Sequence, residues 1–194
     1  MGTDPQVDSQ HRLWIIDWAV AALLFAGALA LYSRTLAPTV LAGDGGEFQF
    51  VPYLLGVAHP TGYPFYSILG WVWTHLLATG DIAHRMNLFS AFWASLAVGL
   101  LYPTARAMVR QGIPGLDPVP RRLLAVLGAL LFAATPTFWS QAIIAEVNSL
   151  QIVLIVATFY LLLSWGESGR AHFLLLGAAC FGLGLSHHST TVLL

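Results

Sequence analysis

Apolar stretches of membrane-spanning length recur along this chain with almost no charge inside them, and that pattern decides the fold class first. A spanning helix needs about 20 mostly apolar residues. Residues 14–33, 86–109, 121–138, 147–165 and 171–186 meet or approach that length. Charged residues are 9% of the chain, against roughly 25% in a soluble domain. The expected fold is therefore all-α, a polytopic transmembrane bundle lying in the lipid bilayer as a single domain over residues 1–194. A net charge of -1 gives no reason to expect nucleic acid as a partner.

The ends and the rare residues narrow this a little. Asp4, Asp8 and Asp17 exclude a basic signal-peptide start, so the first apolar run reads as an uncleaved span. The last residues, Thr190 to Leu194, look like the opening of another apolar segment, as expected for an N-terminal fragment of a longer protein. Cys180 stands alone, so no disulfide forms within the chain. All eight basic residues are Arg, and Ala, Leu and Gly are abundant. That composition suggests a GC-rich prokaryotic genome and a prokaryotic plasma membrane.

Between the first two spans lies the part with chemical content. Residues 42–64, AGDGGEFQFVPYLLGVAHPTGYP, carry Asp44 and Glu47, a His59-Pro60 pair and several aromatics. The following stretch, 63–79, is short, begins at Tyr-Pro and holds Tyr63, Tyr66, Trp71 and Trp73. Trp and Tyr favour the water–lipid boundary, which makes an interfacial helix the alternative to a span. The arginines arbitrate, because cytoplasmic loops are enriched in them. With a cytoplasmic N-terminus and 63–79 outside, Arg12, Arg106, Arg110, Arg121, Arg122 and Arg170 fall inside, leaving Arg34 and Arg85 outside. If 63–79 spans, five of the eight lie outside. Residues 34–85 are therefore expected to be one external loop, with interfacial helices at about 44–56 and 63–79.

On that topology the unusual polar groups collect on one side, with Asp17 left out near the inner interface. Asp44 and Glu47 share a helix face. As N-cap and N3 residue they resemble a capping box; as the acids of a nearly chargeless loop they are candidate catalytic groups. His59 is either an ordinary turn residue or part of the same site. Arg85, at the outer mouth of the second span, either snorkels to the interface or pairs with phosphate. Glu146 lies at the outer end of a span, where an unpaired carboxylate marks function. His187 and His188 end an apolar helix on the same side. Adjacent histidines do not share a helix face, so they do not form a paired metal site. Gln141 and Asn148 are expected to bond between helices. No zinc motif, P-loop or nucleophile elbow occurs.

TLAPTVLAGDGGEF, GVAHPTGYPFY, HRMNLFSAF and TFWSQAIIAEVNSL resemble a family of multi-pass membrane proteins related to protein O-mannosyltransferases, within the GT-C glycosyltransferase superfamily. The resemblance runs from about Thr35 to the end. It implies a GT-C bundle with juxtamembrane helices in the first external loop. It also implies a sugar donor carried on polyprenyl or dolichyl phosphate, used on the extracytoplasmic face with inversion. The sugar would be mannose or another hexose, and the acceptor a hydroxyl on protein Ser/Thr, lipid or glycan. Asp44 falls on the family's catalytic aspartate and Glu47 on its nearby acid. Glu146 falls on a second external acid, and His187 and His188 on a lysine beside the lipid phosphate. O-mannosyltransferases proper have adjacent Asp-Glu, whereas Gly45 and Gly46 intervene here.

The chemistry agrees with the residue types. A carboxylate can take the proton of a hydroxyl acceptor. A phosphate leaving group needs positive charge and hydrogen-bond donors, for which His59, Arg85, His187 and His188 are candidates. No metal ligand set is assigned, although Asp44 and Glu146 leave a divalent cation open. The alternative is a non-catalytic or transporter-like protein that binds lipid phosphate; transport would place ionisable groups at mid-membrane in broken helices, and here they cluster at one surface.

Overall fold

The computed structural model describes the backbone of residues 5–193 and the side chains from Leu13 onward. Asp4 and the side chains of Asp8 and Arg12, which entered the signal-peptide and charge arguments, lie outside this description. The chain folds into α1 (Pro5–Arg34), α2 (Asp44–Phe50), α3 (Pro64–Leu76), α4 (Ile82–Gly112), α5 (Pro118–Ala133), α6 (Pro136–Ala142), α7 (Asn148–Ser168) and α8 (Ala171–His187), and a 3-10 turn (Ser189–Leu193) follows. No strand occurs among the described residues. The all-α class holds.

Among the described residues, three helices are long and apolar enough to cross a membrane: α1 from Leu13, α4 and α7. A fourth crossing is available if α5 and α6 form one span, bent by 66°. The 121–138 stretch is thus broken, where an unbroken span was expected. Thr135 precedes Pro136 and takes an extended conformation, because a proline disfavours the helical region for the residue before it. The 17 residues of α8 are apolar but short.

The surface helices also differ from expectation. The 44–56 helix stops at Phe50 and passes into turns through Leu55, whose φ is +51°. The 63–79 helix is trimmed to Pro64–Leu76, with Pro64 in its first turn and Tyr63 left-handed before it. Its 13 residues rise about 20 Å, well short of a hydrocarbon core of about 30 Å.

The central helix is α4, which packs against α1, α5 and α7 and also carries α2 and α3. Small residues let it do so. Ala91, Ala94 and Ala97 are fully buried. At Gly99 a Cβ would stand 3.0 Å from the Ala21 carbonyl oxygen and 3.1 Å from Phe25 Cβ. Small residues at such crossings allow the close backbone approach that membrane helices depend on.

Because successive long elements alternate in direction, the bundle has two chemically different ends. One end holds Arg106, Arg110, Arg121, Arg122 and Arg170, at the finish of α4, the start of α5 and the α7–α8 turn. There the buried Asp17 carboxylate accepts from Tyr102 Oη (2.9 Å) and Arg122 Nε (2.8 Å), and Arg106 Nη1 stands 3.1 Å from its second oxygen. This carboxylate, expected near the inner interface, joins three helices, α1, α4 and α5. The other end gathers α2, α3, the α6–α7 turn and the end of α8.

Candidate active site

The acidic helix α2 starts without a side-chain cap. Gly43, at φ +70°, is its N-cap, and Asp44 is the first helical residue. The capping-box reading therefore fails: the Glu47 N–H donates to the Gly43 carbonyl, and the Glu47 side chain is used elsewhere. Gly45 and Gly46 explain the spacing between the two acids. A Cβ at Gly46 would lie 2.2 Å from the Leu41 carbonyl oxygen, and one at Gly45 would lie 3.2 Å from Leu41 Cδ1. Only glycines let the helix lie this close to the segment before it.

Two buried amides hold that segment and α2 against α4. Gln49 Oε1 accepts from Leu41 N at 2.9 Å, and its amide donates to Asn87 Oδ1 at 3.0 Å. Asn87 Oδ1 also accepts from Ala145 N (2.9 Å), and its Nδ2 donates to the Ala37 carbonyl (3.1 Å). Ser90 next along α4 bonds both the N–H and the carbonyl of Glu146. Gln49, Asn87 and Ser90 do not appear among the sequence-derived candidates. Their only sequence signal is polar residues inside an apolar pattern.

The amide frame brings Asp44, Glu47, His59 and Glu146 together. Glu47 accepts from the His59 backbone N–H at 2.7 Å, and its other oxygen meets His59 Nδ1 at 2.8 Å. The side-chain hydrogen bond with His59 is the main cause that lowers the Glu47 pKa below the usual carboxylate range. The same bond raises His59, with smaller contributions from the charges of Asp44 and Glu146. Glu146 is half-buried; desolvation, and then the Asp44 charge, raise its pKa. Asp44 itself is exposed.

Aromatic rings wall this group. His59 lies 5.4 Å from Phe48 and 5.6 Å from Tyr63, ring centre to ring centre. Tyr63 is also 6.0 Å from His188, stacked, and 6.1 Å from His187. His188 Nδ1 accepts from the Thr190 N–H at 3.2 Å, which puts the proton of the neutral ring on Nε2, a free donor. His187 is fully buried and donates from Nε2 to the Val147 carbonyl at 3.0 Å. From there it secures the turn after Glu146 and does not meet solvent.

Arg85 is not brought into the group. Its Nε donates to the Gly80 carbonyl and its Nη1 to the Thr74 carbonyl, closing the C-terminal end of α3. Asn148 does bond across to Gln141, at 2.7 Å. Asp44, Glu47 and His59 offer ligand atoms within 4.8 Å of one another, close enough to share a cation. A cation there would compete for the Glu47 oxygen and the His59 nitrogen that already bond each other.

Fold and site together define an integral, multi-pass helical membrane protein with an acid–histidine centre at one end of the bundle. Residues 44–194 match the family described as the protein O-mannosyl-transferase TMEM260 N-terminal domain, and the chain belongs to that family. It is 30% identical over 145 residues to protein O-mannosyl-transferase tmem260 of Dictyostelium discoideum, covering 74% of this chain and 16% of that protein. To protein O-mannosyl-transferase TMEM260 of Mus musculus it is 29% identical over 174 residues, covering 88% and 23%. The chain thus spans less than a quarter of the length of these curated relatives. No solved structure matches it.

Proposed function

We propose that this chain is the catalytic N-terminal part of a membrane glycosyltransferase that moves a sugar, mannose or another hexose, from a polyprenyl- or dolichyl-phosphate donor to a hydroxyl acceptor. Family membership and the names of the relatives support the reaction class. The observation that carries the site is the division of labour among the acids: Glu47 is engaged by His59, whereas Asp44 is exposed beside them. Asp44 takes the acceptor O–H proton as the acceptor oxygen attacks the anomeric carbon. The bond from that carbon to the phosphate oxygen breaks, and the lipid phosphate leaves as an anion with inversion at the sugar. The Glu47-held imidazole of His59 and the Nε2–H of His188 are the donors this reading assigns to that phosphate. Glu146, whose pKa is raised by burial and by the Asp44 charge, lines the same group. Asp44, Glu47 and His59 would be the residues to hold a divalent cation, which would supply positive charge to the leaving phosphate. The working face is extracytoplasmic or luminal, opposite the arginine-rich end. A prokaryotic plasma membrane remains a compositional reading, since both relatives named above are eukaryotic.

Full-length protein in proteoliposomes with a radiolabelled polyprenyl-phosphate mannose and a Ser/Thr peptide tests the proposal. Asp44→Asn should lower transfer about 10²- to 10⁴-fold, the usual worth of a general base, with insertion and melting temperature unchanged. Undiminished transfer would remove Asp44 from the base role.

A further inference from the structure

At the opposite end of the bundle, a crevice of about 70 Å³ opens between α1, α4 and α7. Arg106 and Arg110 both line it, four residues apart on one face of α4. Trp14, Trp18 and Tyr160 stand in its wall, as do two carboxylates, Asp17 and Glu167. Trp18 lies 6.1 Å from Tyr160, ring to ring. Arginines with Trp and Tyr at one depth mark the level of lipid headgroups. The arginines are incompletely answered by protein. Arg106 Nη1 is spent on Asp17, while its Nε is buried with no acceptor. Arg110 pairs through Nη2 with Glu167, and Gln111 shares that carboxylate. Asp17 in turn is already taken by Arg122 and Tyr102. Asp17 and Glu167 match Arg106 and Arg110 in number, but Arg122 also pairs with Asp17, so three guanidiniums share two carboxylates and N–H donors outnumber acceptors, in a space of roughly two waters at about 30 Å³ each. A tetrahedral oxyanion suits that space and those donors, because guanidinium groups match phosphate geometry.

We propose that this crevice binds the phosphate of an anionic phospholipid headgroup, held between Arg106 and Arg110, with Glu167 competing for Arg110. Basic pockets between transmembrane helices take headgroups in this way. The site is independent of the transfer reaction proposed for the other end.

Native mass spectrometry of the full-length protein, exchanged into phosphatidylglycerol or phosphatidylcholine, reads the site directly. Wild type should retain phosphatidylglycerol in preference to phosphatidylcholine. Arg110→Gln should weaken that retention about tenfold, the worth of one charge-assisted contact. Glu167→Gln should strengthen it, a gain that a misfolded variant would not show. Neither residue belongs to the Asp17 junction, and melting temperatures in phosphatidylcholine alone check that both variants fold. Equal phosphatidylglycerol retention by wild type and both variants would overturn the proposal. So would displacement of the lipid by millimolar inorganic phosphate, which would make this a site for the free anion.

Discussion

Glu47 and His59 are individually ordinary and jointly informative. Each is partly exposed, at 29% and 36% of its side-chain surface, yet each shifts the other's titration. The lowered Glu47 pKa means that its share of the contact exists above the free carboxyl value of about 4.3 and is lost as pH falls through the lowered value. The raised His59 pKa means that its share is full below about 6.5 and is lost as pH rises through the raised value. The pair is therefore complete in mildly acidic solution and weakens on the alkaline side. An NMR titration of labelled histidines should place His59 above a free imidazole. In Glu47→Gln its midpoint should fall, because the bond that raises it is gone while desolvation, which lowers it, remains. An unchanged midpoint would mean that the hydrogen bond does not govern the ring. The carboxylates themselves were legible in the sequence, since acids are rare in an apolar chain. Their division of labour was not. Glu47 and His59 are twelve residues apart, and a cap on the same helix was an equally good use of Glu47 until the turn after Phe50 brought His59 back.

At the scale of elements, α2 depends on the Gly45-Gly46 step more than on any cap. Gly46→Ala forces a methyl group against the Leu41 carbonyl, 2.2 Å away. It should cost about 1–3 kcal/mol, the usual range for overpacking, and should break the Gln49–Leu41 hydrogen bond. Thermal unfolding together with amide exchange at Leu41 would measure both. Gly27→Ala in α1 is the control. A Cβ there meets nothing within 4 Å, so stability should hold or rise, as expected for alanine replacing a helical glycine. Pro64 was readable punctuation at the start of a helix; Pro118 and Pro136 also stand in first helical turns, yet the expected 121–138 span ran through Pro136. The 66° bend between α5 and α6 was missed because hydropathy averages over it. Likewise, apolar composition could not end α2 at Phe50, since the residues after it are as apolar as a helix would need.

Across the whole molecule, a buried acid on α1 ties the first helix to α4 and α5. Asp17→Asn would leave Arg106 and Arg122 without their counter-charge in a buried junction. A loss of about 3–5 kcal/mol is the usual result of breaking such a pair, and it should appear as a lower melting temperature in detergent while sugar transfer by the remaining folded protein stays near wild type. A variant as stable as wild type would show that the junction is dispensable. The arrangement of ends follows from helix number and direction: alternating passes collect the arginines of α4, α5 and the α7–α8 turn at one pole and Asp44, Glu146 and His188 at the other. The charge count anticipated that separation. Asp17 was expected on the arginine side, but not as a buried partner of Arg106 and Arg122, and nothing foretold that Arg85 closes α3 and stands apart from the acids.

Hydropathy and acid placement are properties of neighbouring residues, so the sequence by itself determined the helical membrane class and the loop that bears the acids. The motifs within that loop pointed to the family. What only the tertiary structure decided are the pairings between distant residues: Asn87 with Ala145, Asp17 with Arg122, His187 with Val147. The physical reason is that a buried polar group must find a partner wherever packing places one. Several helices offer suitable donors and acceptors, and only the folded bundle selects among them.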